Sequence, residues 1–151
     1  MNRPTKDEYY LDIAAVVAKR STCLRRQYGA VIVKNDTIVS TGYNGSERNA
    51  PNCCDVGRCY RQEHDIPHGE QYEKCRAIHA EVNAILNAGG GRTHRATLYL
   101  VGFENDKRLE FAEPCAQCRR MIEHVGISRI VTDNGVEVMG MTRSDFSPGN
   151  C

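Results

Sequence analysis

The chain has 151 residues, of which 40% are hydrophobic and 26% are charged, and this is enough for one packed domain. Its 20 basic and 19 acidic side chains give a formal net charge of +1, so there is no electrostatic case for a nucleic-acid or membrane surface. The eight cysteines stand out, because there are no tryptophans and only three phenylalanines. The charged first ten residues lack the apolar core of a signal peptide, and the longest apolar run, near Ile13 to Ala18, is far too short to cross a bilayer. We therefore expect a cytoplasmic protein whose cysteines are metal ligands, reactive thiols or small core residues.

The first half of the chain predicts a helix, a hairpin and a long loop. Apolar residues recur with helical spacing in the first of these segments. Asn35 and Asp36 separate two β-rich stretches and tolerate the backbone angles of a tight turn. The loop is unusually long for a compact domain unless something anchors it. The predicted elements are a helix over 9–20, strands over 30–34 and 37–41, and a loop over 46–74.

The second half alternates strands and helices. Three glycines from Gly89 end one helix, and Pro114 is suited to the opening of another. The predicted elements are a helix over 78–87, a strand over 96–101, a charged loop or hairpin over 102–113, a helix over 115–125, and strands over 127–132 and 136–141. The predicted fold class is α/β, with a mixed sheet covered by helices on both faces in one domain over 1–151.

Two short motifs carry metal chemistry, HAE at residues 79–81 and PCAQC at residues 114–118. Each is weak alone, since a CxxC pair can be a redox dithiol and a lone histidine is more often structural. Together, in this order, they match the H-x-E and P-C-x-x-C signature of the zinc nucleobase deaminases.

The residue types suit a catalytic zinc. One imidazole and two thiolates, from His79, Cys115 and Cys118, leave the fourth tetrahedral position of Zn²⁺ open. The two cysteines share one side of a helix's first turn, where the helix N-terminus stabilises thiolates. His79 and Glu81 would diverge by roughly 200° inside a regular helix, so we expect the metal off the N-terminal end of that helix. Zinc acidifies a bound water towards a pKa of ~7, and Glu81 can move the proton to the substrate ring and the departing ammonia.

With these motifs, the chain resembles the cytidine and deoxycytidylate deaminase superfamily, and most of all its deoxycytidylate (dCMP) deaminase branch. The resemblance is carried by YGAVIV (28–33), GYNG (42–45), NCCD (52–55), HAEVNAI (79–85), TLY (97–99), PCAQC (114–118) and GI (126–127). It implies a three-layer α/β/α sandwich with a mixed five-stranded sheet, one catalytic zinc and Glu81 as the proton shuttle. It also implies conversion of dCMP to dUMP for thymidylate synthesis, a homo-oligomer (hexamer or dimer), and dCTP and dTTP as effectors.

The resemblance also suggests residues that bind the substrate. It implies that Asn44 contacts the sugar, whereas a plainer alternative is that Asn44 and Gly45 form a turn with unusual backbone angles. An anion site for the phosphate needs basic side chains or backbone N–H groups near the sugar. The candidate substrate-binding residues are Asn44, Gly45, Ser46, Ala80 and Arg26, with Arg25 and Arg48 as further phosphate candidates.

The cysteines outside the catalytic motif suggest a second metal. Some family members bind a structural zinc through residues at positions that match Cys23 and Cys53. Here Cys59 and Cys75 could complete a site of four sulfur ligands. Such a site would supply the ordering free energy that the long loop lacks. The alternative is that these cysteines are small buried hydrophobes. Cys54 and Cys151 are left unassigned.

Alternatives to dCMP deamination remain open on the sequence. The family usually connects the TLY strand to the PC motif through a short link, whereas this chain has the longer segment 102–113. Three roles are open for this segment: it changes which substrate is accepted, it caps the active site, or it only extends a solvated hairpin. The substrate could be another cytosine nucleoside, nucleotide or modified base. Polynucleotide editing is discouraged by the near-neutral charge and the few aromatic residues. A structural zinc module that binds a partner would have to explain Glu81 beside an incomplete ligand set.

Overall fold

A computed structural model describes residues 1–140 of the chain. The helices are α1 (Lys6–Ala18), α2 (Cys53–Val56), α3 (Tyr60–Glu63), α4 (Ala80–Ala88) and α5 (Ala116–His124), with a 3₁₀ turn at Tyr72–Lys74. The strands are β1 (Gln27–Lys34), β2 (Thr37–Tyr43), β3 (Gly45–Ser46), β4 (Ala77–Ile78), β5 (Thr97–Glu104), β6 (Lys107–Arg108), β7 (Arg129–Thr132) and β8 (Gly135–Val138).

The main sheet has the strand order β2-β1-β5-β7-β8. Strand β1 runs antiparallel to β2 and β5, β5 runs parallel to β7, and β8 closes the edge antiparallel to β7. The short strand β6 extends β5 into a hairpin off this path, and β3 pairs with β4 in a separate ribbon. The predicted mixed five-stranded sheet is confirmed, and β6 is a sixth strand off its path.

Alternate residues of the central strands face opposite layers, as the two-residue period of a strand requires. One face packs against α1 through Val31, Val33, Tyr99, Val101 and Val131. The other face packs against α4 and α5 through Ala30, Ile32, Leu98, Leu100 and Ile130. The apolar stretches in β1 and β5 are therefore buried on both sides, which confirms the α/β/α layering.

Two glycines set how closely the helices approach the sheet. A Cβ on Gly29 would lie 2.2 Å from the carbonyl oxygen of Ala14 in α1. A Cβ on Gly42 would lie 2.3 Å from the backbone nitrogen of Ala84 in α4. Backbone atoms cannot yield as a flexible side chain can, so both positions require glycine. Gly42 thereby fixes the distance between β2 and the helix that follows His79.

Several boundaries differ from the prediction for local reasons. Helix α1 begins at Lys6 because Thr5 and Glu8 form a capping box, a signal present in the sequence. Pro114 precedes the N-cap residue Cys115 instead of occupying the first turn of α5. The predicted hairpin is confirmed, with Asn35 and Asp36 at φ values of 51° and 59°.

The prediction of one long loop over 46–74 is wrong in detail. Helices α2 and α3 and the 3₁₀ turn interrupt it, and the β3–β4 ribbon ties its two ends together. We call residues 47–76, between these two strands, the connecting segment. Each of its helical pieces is one turn long, so tertiary contacts must hold them.

The charged segment after β5 forms a hairpin, which confirms one of the interpretations offered for 102–113. Strand β5 continues to Glu104, and a tight turn at Asn105 and Asp106 leads into β6. Strand β8 is shorter than the predicted strand over 136–141, and Met141 and Cys151 lie outside the described residues. Within residues 1–140, no helix is long and apolar enough to cross a bilayer.

Candidate metal centre and active site

The N-terminal ends of α4 and α5 bring three metal-ligating side chains together. His79 is the N-cap residue of α4 with extended backbone angles, as the divergence of His79 and Glu81 in a regular helix requires. Cys115 is the N-cap residue of α5, and Cys118 lies in its first turn. The ligand atoms of these three residues all lie within 4.8 Å of one another.

The spacing of the donor atoms fits a zinc ion. Nδ1 of His79 lies 3.3 Å from Sγ of Cys118 and 3.6 Å from Sγ of Cys115. Tetrahedral zinc with normal Zn–N and Zn–S bonds places its nitrogen and sulfur ligands about 3.6 Å apart. A set of one imidazole and two thiols is a common zinc donor set and leaves one position open. These three residues could therefore hold a catalytic zinc ion.

The buried acidic groups of the site would be stabilised by a bound cation. Glu81 is only 4% exposed, and burial raises the pKa of its carboxyl group to about 7. Burial, followed by the charges of Glu81 and Cys115, raises the pKa of the Cys118 thiol. Burial lowers the pKa of His79 and so favours the neutral imidazole that binds metals. A divalent cation would offset the crowded negative charge and favour the thiolate and carboxylate forms.

The end of α5 adds to this stabilisation. The backbone N–H of Cys118 points at Sγ of Cys115, with a nitrogen-to-sulfur distance of 3.4 Å. An N–H group at a helix N-terminus favours a negatively charged sulfur. This contact orients the Cys115 sulfur towards the other two ligand residues.

A cavity of about 710 Å³ opens over this centre, at the edge where β1 begins and β5 ends. Of the residues predicted to bind substrate, Arg26, Asn44 and Ala80 line it, and so do Glu81 and the three metal-ligating residues. Gly45 and Ser46 lie in β3 and do not line the cavity. Their contact with substrate stays a prediction.

Of the two further phosphate candidates, only one reaches the cavity. Arg25 lines the cavity wall. Arg48 does not, and its guanidinium instead donates to the side-chain oxygen of Asn87.

Asn44 is buried, and its side-chain amide forms hydrogen bonds with other groups of the protein. Its Oδ1 accepts hydrogen bonds from the Tyr28 N–H and the Ser21 hydroxyl, each at 2.7 Å. Its Nδ2 donates to the backbone oxygen of Arg26 at 2.9 Å. Asn44 thus holds the backbone on both sides of position 27 and presents Arg26 and Tyr28 to the cavity.

The plainer alternative, that Asn44 and Gly45 form a turn with unusual backbone angles, is wrong. Neither residue is among the described residues with positive φ. Gly45 has another role, since a Cβ there would lie 2.4 Å from the hydroxyl oxygen of Thr22 and would force that side chain to move. Close packing, not backbone conformation, explains the glycine.

The four cysteines predicted to bind a second metal lie near one another, but their sulfur atoms are not all within 4.8 Å of one another. Burial raises the pKa of Cys53, and the nearby thiols of Cys23, Cys59 and Cys75 raise it further. Within residues 1–140, however, only the cluster of His79, Cys115 and Cys118 has its ligand atoms within 4.8 Å of one another. The second metal site stays a prediction.

Sequence reasoning missed four residues of the connecting segment that line the cavity: Arg61, His68, Gly69 and Tyr72. The Tyr72 ring stands edge-on to the His79 ring, with centroids 5.1 Å apart. No motif marks these positions, since they reach the site only through the path of the segment. Tyr28 also lines the cavity, and its place at the start of the YGAVIV strand was a usable signal.

The comparisons with known proteins agree with this geometry. Residues 4–133 match the cytidine and deoxycytidylate deaminase zinc-binding region. The chain is 38% identical over 135 residues to deoxycytidylate deaminase from Mycobacterium phage D29, across 87% of this chain and 96% of that protein. It is 36% identical over 130 residues to deoxycytidylate deaminase from Schizosaccharomyces pombe, across 85% of this chain but only 37% of that protein. The apo structure of dCMP deaminase from cyanophage S-TIM5 matches with a TM-score of 0.61 and 25% identity, across 87% of this chain and 84% of that one.

Proposed function

Because this chain belongs to the cytidine and deoxycytidylate deaminase family, we propose that it converts dCMP and water to dUMP and ammonia. The observation that carries the proposal is the three-ligand cluster of His79, Cys115 and Cys118 beside the buried carboxyl group of Glu81. A closed structural zinc site would need a fourth protein ligand and would have no use for Glu81.

Each residue of the centre has one role in the proposed reaction. His79, Cys115 and Cys118 would hold a Zn²⁺ ion, whose Lewis acidity would lower the pKa of the attacking water. Glu81 accepts a proton from the attacking water and passes it to N3 of the cytosine ring. The water oxygen first bonds to C4. Glu81 then takes the second proton from the new C4 hydroxyl and delivers it to the amino group, and the C4–N4 bond breaks to release ammonia. Burial raises the pKa of the Glu81 carboxyl group, which helps it to hold each proton until the proton is transferred.

The experiment that tests the substrate compares turnover of dCMP, CMP, deoxycytidine and dCTP by the zinc-loaded protein. We expect the highest kcat/KM for dCMP, because basic side chains such as Arg25 line the cavity and favour a phosphate. Equal kcat/KM values for deoxycytidine and dCMP would contradict phosphate recognition. Activity on none of the four would contradict the proposed function.

The proposal extends to the cellular setting of the enzyme. It treats residues 1–151 as one catalytic domain that works in the cytoplasm and supplies dUMP for thymidylate synthesis. All seven cysteines within residues 1–140 are free thiols, which suits a reducing compartment. The proposal also includes a homo-oligomer, a hexamer or a dimer, with dCTP and dTTP as effectors.

A second, structural zinc held by Cys23, Cys53, Cys59 and Cys75 remains part of the proposal. Its support is that burial raises the pKa of the Cys53 thiol and that Cys23, Cys59 and Cys75 lie near enough to raise it further. Metal ligation would draw the sulfurs together and anchor the one-turn helices of the connecting segment. The metal content of the purified protein tests this site, as described in the Discussion.

A further inference from the structure

Arg61, in helix α3 of the connecting segment, is a buried cation that forms no ion pair with an acidic residue among residues 1–140. The residue is only 6% exposed and lines the cavity. Its Nη2 donates to the backbone oxygens of Pro67 and Glu70 at 2.6 and 2.7 Å. Its Nε is buried and has no hydrogen-bond partner within residues 1–140, and no carboxylate there forms an ion pair with it.

This arrangement is energetically incomplete. Two carbonyl oxygens and the ring of Tyr72, 4.8 Å from the guanidinium carbon, solvate part of the charge. A buried guanidinium is nonetheless normally paired with an anion, since an unpaired buried charge and an unpaired N–H donor both cost free energy. The missing partner is therefore an anion that enters the cavity.

Two other arginines lie near the same end of the cavity. Arg25 and His68 line it, and burial together with the charges of Arg26, Arg25 and Arg61 lowers the pKa of His68, which favours its neutral form. The ion pair of Arg26 with Glu104, at 2.9 Å, offsets one of these charges. This end of the cavity therefore keeps an excess of positive charge around Arg61.

We propose that Arg61 binds the phosphate of the substrate and makes the enzyme select nucleotides over nucleosides. The identity of the nucleotide in this inference rests on the proposed function. The existence of an anion site at Arg61 is independent of that function. Guanidinium groups suit phosphate because their planar N–H donors match its oxygens. Arg26 is already engaged by Glu104, and Arg48 lies outside the cavity, so neither is an equal candidate.

The position of Arg61 suits a nucleotide whose base lies at the metal centre. The guanidinium carbon of Arg61 lies 4.8 Å from the centroid of the Tyr72 ring, and the same ring stands edge-on to the His79 ring with centroids 5.1 Å apart. Arg61 is thus one aromatic ring away from a metal-ligating residue. A sugar can bridge this gap between a base at the metal and a phosphate at Arg61.

The test measures inorganic phosphate binding and dCMP kinetics in the zinc-loaded wild type, Arg61→Gln and Arg58→Gln. Arg58 is the matched control, because it lies in the same segment but its side chain is 70% exposed and does not line the cavity. In Arg61→Gln we expect the Kd for inorganic phosphate and the KM for dCMP to rise by about ten- to a hundredfold. We expect kcat and zinc content to change little. In Arg58→Gln we expect Kd and KM to match the wild type.

Each other outcome has a definite meaning. Unchanged phosphate affinity in Arg61→Gln would overturn the assignment, and so would a fall in kcat at constant KM, which would show a structural role only. Equal losses in Arg58→Gln would also overturn it, because they would show a general charge effect. Wild-type protein that binds phosphate through Arg61 but does not deaminate dCMP would refute the proposed function and leave the anion site standing.

Discussion

The Glu81→Gln variant is expected to keep its zinc and to lose turnover by about two to four orders of magnitude. Glutamine preserves the shape of the buried side chain but cannot carry a proton between water, ring nitrogen and ammonia. Zinc should stay bound because Glu81 is not among the three clustered ligand residues. Removing its charge should also make the Cys118 thiol easier to ionise, since that charge contributes to raising the pKa of Cys118.

Steady-state deamination and metal analysis of the same preparation check this expectation. Glu123→Gln is a matched control, because it makes the same chemical change on the exposed side of α5. We expect wild-type activity from that control. Full activity in Glu81→Gln would refute the proton-shuttle mechanism, and loss of zinc would show that Glu81 is needed as a metal ligand.

The Cys118→Ala variant is expected to lose the catalytic zinc and, with it, deamination. Cys118 is 2% exposed at the centre of the cluster, and two remaining ligands hold zinc far more weakly than three. If the second site is present, metal analysis should find two zinc ions per chain in the wild type and one in this variant. A wild-type protein with one zinc would refute the four-cysteine site.

Cys54→Ala is the control for this measurement, because Cys54 is exposed and belongs to neither proposed zinc site. We expect it to keep the zinc content and activity of the wild type. A Cys118→Ala protein that retains wild-type zinc and turnover would contradict the assignment of the catalytic metal.

The metal centre was predictable because its geometry follows from local sequence. One residue, Ala80, separates His79 from Glu81, and this spacing already excluded a regular helix at His79. The structure places His79 at the N-cap, as that argument requires. Cys115 and Cys118 are likewise held by one helical turn, so their proximity needs no tertiary information.

The substrate end of the cavity could not be predicted in the same way. Arg61, His68 and Tyr72 belong to a segment with no periodic pattern, and its path depends on contacts distant in sequence. Sequence proximity to Asn44 favoured Arg48, yet that side chain points elsewhere because its neighbour across the fold is Asn87. Proximity in sequence does not predict which side chains line a cavity when the lining segment has an irregular backbone.

Asn44 is a third case, because the sequence motif that contains it is recognisable but its structural role is not. The resemblance implied a contact with the sugar, whereas the structure shows its amide bonded to the backbone of Arg26 and Tyr28. One N–H of Nδ2 has no partner among the hydrogen bonds of residues 1–140, so a substrate contact can coexist with this role. The sequence could not reveal the second role, because it depends on how β2 ends beside the start of β1.

The most direct test of the central claim is the reaction of zinc-loaded protein with dCMP in water enriched in oxygen-18. If the centre formed by His79, Cys115, Cys118 and Glu81 performs hydrolytic deamination, each dUMP should carry one labelled oxygen at C4 and be matched by one released ammonia. Absence of dUMP, or dUMP without label in its C4 oxygen, would contradict the account.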